Sequence, residues 1–367
     1  MAPNENLRRL HEAGVSIWLD MLSRDLLQSG EFGALIRDYS MTGATSNPTI
    51  FAKAISSSEL YDDQLRALAS AGQSDTQELF FSLALDDVRE AARLLRPDFD
   101  GTGGTDGFIS FECTPDLADD TQATIAQARE LWDRLDQPNA MIKVPGTAAG
   151  LPAIEQLLRE GVNINITLLF SIERYEQVID AYLRAMTARA QDGERLDTVS
   201  SVASFFLSRI DTKVDQRLPD GSPLRGQVAL ASARVAYQRY LAKFAGPQWE
   251  RLEQLGATRQ RPLWASTGTK NPEYSDVLYV SELIGPGVVN TMPEQTLRAF
   301  ADHGEVRPTL TADPGAAEQT LADVQAAGID LASVTAELER EGVQLFCDSY
   351  RELLDRIESK LGAVAAT

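Results

Sequence analysis

The chain has 367 residues, 43% of them hydrophobic and 24% charged, an ordinary globular composition with room for a large core. Its formal net charge of −20 repels nucleic acid and anionic membranes, so a cation clustered in a pocket becomes informative. Two histidines, His11 and His303, are too few for a His-rich metal centre and leave a Ser-His-Asp triad few options.

No run of about 18 apolar residues marks a membrane span. The first ten residues lack the apolar core of a signal peptide. Cys113 and Cys347 form neither a CxxC pair nor a zinc spacing, and fit free thiols in a reduced, cytoplasmic setting.

In chain order, a leading helix is predicted over 5–13 and a first strand over 15–20, ending on Asp20. Apolar residues at helical spacing predict one helix over 22–39. A second short strand, 43–48, runs into a loop at Asn47. Residues 49–97 read as broken helix and 98–106 as a Gly-rich turn. A third strand over 108–112 ends on Glu112, and a helix covers 120–135.

The fourth strand holds Met141, Ile142, Lys143 and Val144, then stops at Pro145-Gly146. A lone lysine among core residues must find a partner or lower its pKa. A neutral amine can attack a carbonyl and form a Schiff base. The competing expectation for Lys143 is an ammonium that snorkels or pairs with a carboxylate.

A helix over 148–160 precedes a fifth strand, 163–167, whose alternation puts Asn163, Asn165 and Thr167 on one side. Helix 172–191, strand 199–206, helix 223–256, strand 262–267, a short helix near 276–284 and strand 288–292 follow. Beyond Pro293 the chain reads as helix over 294–302, 315–326 and 331–361.

Eight strands alternating with helices predict an α/β (β/α)8 barrel with additional C-terminal helices. A doubly wound sheet would want a GxGxxG loop after its first strand, and none is present. With no repeat and no linker, the chain is expected to be one barrel domain over 1–367. Its strands would lie within about 15–292 and its helical extension within about 294–361.

In such a barrel the polar strand ends converge on one face. They are Asp20, Asn47, Glu112, Lys143, Asn165, Thr167 and Ser204, a set suited to carbonyl chemistry with acid/base help. Taken singly, an Asp or Asn at a strand end more often caps the next helix. Arg209 and Lys270 follow the sixth and seventh strands, where late loops often hold phosphate. Their alternatives are a local pair of Arg209 with Asp211 or Asp215, and a solvated Lys270.

Three stretches carry a family resemblance. Asn165-Ile166-Thr167-Leu168-Leu169-Phe170-Ser171 resembles the signature of transaldolases. So do Gly43-Ala44-Thr45-Ser46-Asn47-Pro48 and the Lys143 strand with Thr147. The resemblance runs in order from about Gly14 to Gly304. It implies a (β/α)8 barrel whose extra C-terminal helix folds near the mouth. It also implies a Schiff-base enzyme without metal or organic cofactor, acting on sugar phosphates, with a homodimer among its assembly states.

By resemblance, Lys143 is the Schiff-base lysine and Glu112 the carboxylate that works through a water held by Thr167. Asp20 is the general acid/base at the cleaved bond. Asn47, Asn165 and Ser204 hold substrate hydroxyls, and Arg209 binds phosphate. The family commonly has Ser-x-Arg after the seventh strand, where this chain has Gly268-Thr269-Lys270. Lysine gives charge without a bidentate fork, which Thr267, Thr269 or backbone N–H groups would have to supply. Fructose 6-phosphate aldolases share the fold and the lysine. They typically carry Gln at the position of Glu112 and Tyr at that of Phe206, so both residues favour the transferase. A non-catalytic sugar-phosphate barrel would need no Lys143, Glu112 and Asp20 together.

Overall fold

The computed structural model describes residues 3–311 and 314–365. Eight strands form a closed barrel in sequence order, every neighbouring pair parallel. They are β1 Val15–Leu19, β2 Met41–Thr45, β3 Phe108–Glu112, β4 Ala140–Pro145, β5 Ile164–Leu169, β6 Ser201–Phe206, β7 Arg261–Ala265 and β8 Val288–Met292. Strands covered by helices outside and packed side chains inside are buried on both faces. Accordingly, every strand residue is buried except Arg261. One apolar cluster runs from Leu7 through all eight strands to Ile357.

Local chemistry explains where strands give way to helices. β2 stops at Thr45, earlier than predicted. Asn47 caps the next helix by accepting from Ile50 N–H at 3.0 Å, and Pro48 takes the first helical position. Ser171 caps the helix Ile172–Gln191 in the same way, accepting from Arg174 N–H at 3.1 Å.

Other boundaries differ from the sequence expectation. The helix predicted over 22–39 is two, Arg24–Gln28 and Glu31–Tyr39, parted at Gly30 with φ 80°. That over 223–256 is likewise two, Val228–Lys243 and Pro247–Gln254, broken at Gly246 with φ 90°. The turn expected from residue 98 starts later, because the helix Thr76–Gly101 continues through Pro97. A helix that was not predicted, Ser208–Asp215, follows β6 directly.

The barrel centre is closed by Trp18, fully buried on β1, whose Nε1 donates to Asp106 Oδ1 at 2.9 Å. Gly43 on β2 leaves room for that ring: a Cβ there would lie 2.4 Å from Trp18 Nε1. Gly43→Ala is therefore expected to overpack the barrel and cost about 2–3 kcal/mol, read as a lower urea midpoint.

The final helix, Leu331–Ala365, crosses the C-terminal face of the barrel. Ser349 accepts from the Thr49 hydroxyl at 2.8 Å, and Lys360 pairs with Asp62 at 2.8 Å. Lys213, on the post-β6 helix, pairs with Glu337 and Glu341 at 2.8 and 2.5 Å. The helix thus ties together the helical segments that follow β2 and β6. Among the described residues no helix is long and apolar enough to cross a membrane.

Candidate active site

β4 sets the centre of the site. Lys143 is 5% exposed, and a buried ammonium needs acceptors. Its Nζ donates to the Ser46 carbonyl at 3.0 Å and lies 3.4 Å from Glu112 Oε2. The strand register produces this meeting. Glu112 on β3 and Asn165 on β5 are the cross-strand partners of Lys143, and such partners point to one side of a sheet.

Glu112 is buried as well, and its Oε1 has no hydrogen-bond partner. Burial pushes its carboxyl up to about 7, with Lys143 pulling against that shift and Asp20 adding to it. A carboxyl so placed can give or take a proton near neutral pH. Thr167 Oγ1, on β5, is a second buried atom without a partner. Leu168 next to it has φ 59°, in the left-handed region that residues other than glycine rarely adopt. The β5–β6 register slips there, between Ile166 and Leu169. A Cβ added at Gly342 of the final helix would lie 3.0 Å from the Leu168 side chain, so helix and kinked strand end meet closely.

Asp20 follows β1 and is oriented by hydroxyls. Thr45 Oγ1 donates to Asp20 Oδ1 at 2.8 Å and lies 2.7 Å from Thr291 Oγ1. Each hydroxyl has one proton, so Thr291 donates to Thr45 and Thr45 to Asp20. Burial raises the Asp20 carboxyl above its ordinary value, while Lys143, the Thr45 hydrogen bond, Lys270 and Arg209 pull it back.

A cavity of about 210 Å³ opens at the C-terminal strand ends. Asp20, Asn47, Lys143, Thr167, Ser204, Phe206, Arg209 and Lys270 all line it. Larger hollows of about 320, 360 and 510 Å³ lie elsewhere, at the N-terminal strand ends, beyond Lys270, and where the segment after β5 faces the C-terminal helices. The amine and both carboxylates nevertheless gather around the smaller cavity.

Two residues selected from the sequence sit behind the cavity wall. Glu112 reaches the site through Lys143. Asn165 is fully buried, and its amide is engaged on both sides: Nδ2 donates to Ser110 Oγ at 3.0 Å and Oδ1 accepts from Ser204 Oγ at 2.6 Å. Asn47 uses Oδ1 as a helix cap, which leaves its Nδ2 donors for the cavity.

Arg209 does not pair with Asp211 or Asp215, whose oxygens are taken by backbone N–H groups and tyrosine hydroxyls. Its guanidinium carbon lies 5.6 Å from the centre of the Phe206 ring. Burial lowers its pKa, opposed by Asp20 and Glu341. Lys270 is exposed on the β7 loop and makes no ion pair or hydrogen bond among the described residues. Thr267 and Thr269 do not supply the missing fork. Their hydroxyls donate to Thr291 O at 2.9 Å and Ser275 O at 2.8 Å.

Thr45, Thr291, Ser266 and Phe346 also line the cavity and are not among the residues that the sequence singles out. Thr45 had a signal: it lies within a family-like stretch, two residues before Asn47. For Phe346 the family resemblance brings the final helix near the mouth but does not say which of its residues lines the cavity. Among the described residues no group of three or more His, Cys, Asp or Glu is placed to hold a metal ion.

A buried lysine beside a carboxylate, at the C-terminal mouth of a parallel eight-stranded barrel, is an arrangement suited to Schiff-base chemistry on a carbonyl. More particularly, the chain belongs to the transaldolase/fructose-6-phosphate aldolase family, whose family model matches residues 17–357. It is 51% identical over 360 residues to the transaldolase of Acidothermus cellulolyticus, covering 97% of this chain and 96% of that one. It is 49% identical over 365 residues to the transaldolase of Saccharopolyspora erythraea, covering 98% and 99%. Over 369 residues it is 49% identical to that of Mycobacterium marinum, covering 99% of each.

Proposed function

We propose that this protein is a transaldolase whose covalent step is made by Lys143. The observation that carries this reading is the Lys143 amine, buried at the cavity floor between the Ser46 carbonyl and Glu112. The donor would be a ketose phosphate such as fructose 6-phosphate or sedoheptulose 7-phosphate. Lys143 Nζ attacks the C2 carbonyl carbon. Glu112 delivers the proton with which the C2 oxygen leaves as water, and the C2=N iminium forms. The unpartnered Glu112 Oε1 and Thr167 Oγ1 support relay of that proton through a water between them.

The iminium then acts as an electron sink next to C3. Asp20, oriented by Thr45, takes the C4 hydroxyl proton. The C3–C4 bond breaks, its electron pair flows to the iminium, and an aldose phosphate departs. A dihydroxyacetone unit stays on Lys143 as an enamine. Its C3 attacks the aldehyde of a second aldose phosphate, glyceraldehyde 3-phosphate or erythrose 4-phosphate, while Asp20 returns the proton. Hydrolysis of the new iminium releases the product, so kinetics are ping-pong.

Asn47 Nδ2 and Ser204 would hold substrate hydroxyls, with Asn165 orienting Ser204 from behind. Arg209 and Lys270 would hold the phosphate. Loss of one charged hydrogen-bonding group costs about 2–3 kcal/mol. Arg209→Ala is therefore expected to raise KM for fructose 6-phosphate about 30- to 150-fold in steady-state assays. Two free cysteines, one of them buried, support a reducing cytoplasmic setting.

The test is a coupled assay with fructose 6-phosphate plus erythrose 4-phosphate, following glyceraldehyde 3-phosphate, against a control without erythrose 4-phosphate. Acceptor-dependent turnover is expected. Acceptor-independent turnover with free dihydroxyacetone would instead make the protein a fructose 6-phosphate aldolase on the same lysine.

A further inference from the structure

The two cations at the mouth stand on different loops. Arg209 is the second residue of the helix Ser208–Asp215 after β6, and Lys270 lies on the loop after β7. The loops meet at their roots, where Ser208 N–H donates to Ser266 O at 3.1 Å. Four residues farther on, Lys270 itself has no hydrogen bond or ion pair among the described residues. Its reach toward Arg209 must be fixed by something else.

Asp211 and Asp215 lie four residues apart on the helix that bears Arg209, hence on one face. Both are buried, at 1% and 7% exposure. Asp211 accepts from Ala229 N–H at 2.8 Å and from Tyr279 OH at 2.7 Å. Asp215 accepts from Gly226 N–H at 3.0 Å and from Tyr274 OH at 2.7 Å. Both tyrosines come from the segment directly following Lys270. The Tyr274 ring also lies on Gly226, where a Cβ would come within 2.8 Å of its Cζ. The hollow of about 360 Å³ beyond Lys270 is lined by Lys270 together with both aspartates and both tyrosines.

We propose that the Tyr274–Asp215 and Tyr279–Asp211 hydrogen bonds are positioning contacts that set the spacing of Arg209 and Lys270, and so the grip on the substrate phosphate. This rests on the phosphate reading given above. The tyrosines touch neither substrate nor the reacting atoms. Each carboxylate is held by a backbone N–H on one side, so the tyrosine hydroxyl is the half of the contact that couples the β7 loop to the β6 helix.

The test uses the full chain. Tyr274→Phe keeps the ring on Gly226 and removes only the hydroxyl; a double variant adds Tyr279→Phe. KM for fructose 6-phosphate is expected to rise about threefold in the single variant and about tenfold in the double, with kcat within about twofold. Borohydride trapping of unphosphorylated dihydroxyacetone on Lys143 should be unchanged. An unchanged KM in folded Tyr274→Phe overturns the proposal, as does a loss of dihydroxyacetone trapping in proportion to the loss of kcat/KM. Arg209→Ala separates the two readings. If it raises KM and the tyrosine variants do not, the clamp alone fails. If it leaves KM unchanged, the phosphate reading fails and the clamp with it.

Discussion

Lys143→Ala is expected to lower the transfer rate about 10⁵-fold and to abolish any borohydride-reducible substrate adduct. The size follows from losing the covalent route altogether. Lys143 is the amine at the cavity floor. Lys270, the other lysine lining the cavity, is exposed on the β7 loop, and a guanidinium such as that of Arg209 does not deprotonate. The variant should also change Glu112. Lys143 opposes the upward shift of that carboxyl, so its removal leaves Glu112 more firmly protonated at neutral pH. Rapid-quench kinetics and adduct trapping check the first effect, and the pH dependence of unfolding checks the second. An adduct persisting in Lys143→Ala would assign the chemistry to another amine.

Glu112→Gln is expected to lower kcat about 10³-fold, the usual size of a lost proton shuttle. In the wild type the pH profile of kcat/KM should bend near pH 7, where burial places this carboxyl. The bend should be missing from the glutamine variant. Stability should respond as well. The folded carboxyl titrates near 7, above its ordinary 4.5. Below the lower value both folded and unfolded chains are protonated there, and Glu112 adds no pH dependence. Between the two values the folded chain binds more protons, so wild-type stability falls as pH rises, and the full cost is present above 7. Glutamine has no such cost. The variant should therefore gain on the wild type between pH 4.5 and 7, by about 3 kcal/mol, as read from urea midpoints at pH 5 and 8. A difference independent of pH would mean that Glu112 ionises like an exposed carboxylate.

Much of the barrel could be read from the sequence, for a physical reason. A strand buried on both faces is a short apolar run between turn residues, and β3 and β8 fall on their expected bounds of 108–112 and 288–292. Helix limits are less legible, because they depend on backbone conformations that side chains tolerate rather than dictate. The helix through Pro97 continues past a residue that usually ends one, while Gly30 divides what reads as a continuous apolar face. Ser208–Asp215, for which the sequence predicts no element, folds as a helix whose aspartates are buried against partners from distant segments.

The same contrast holds at the site. Lys143, Glu112 and Asn165 could be grouped in advance, since strand ends of a barrel converge and register pairs them. What holds Lys143 could not. Its closest acceptor is the backbone carbonyl of Ser46, and side-chain identity carries no trace of a carbonyl's direction. Asn165 reads as a substrate contact by its type and place, yet it is fully buried behind the cavity wall, its amide bonded to Ser110 and Ser204. Nothing in the chain order places Phe346 over a cavity built from strand ends in the first 292 residues.

The decisive experiment is peptide mapping by mass spectrometry after incubation with fructose 6-phosphate and borohydride, without an acceptor. A reduced three-carbon dihydroxyacetone adduct on the peptide containing Lys143 is the expected result. An adduct on the peptide containing Lys270, or none on any peptide, would contradict a Schiff base at the buried lysine.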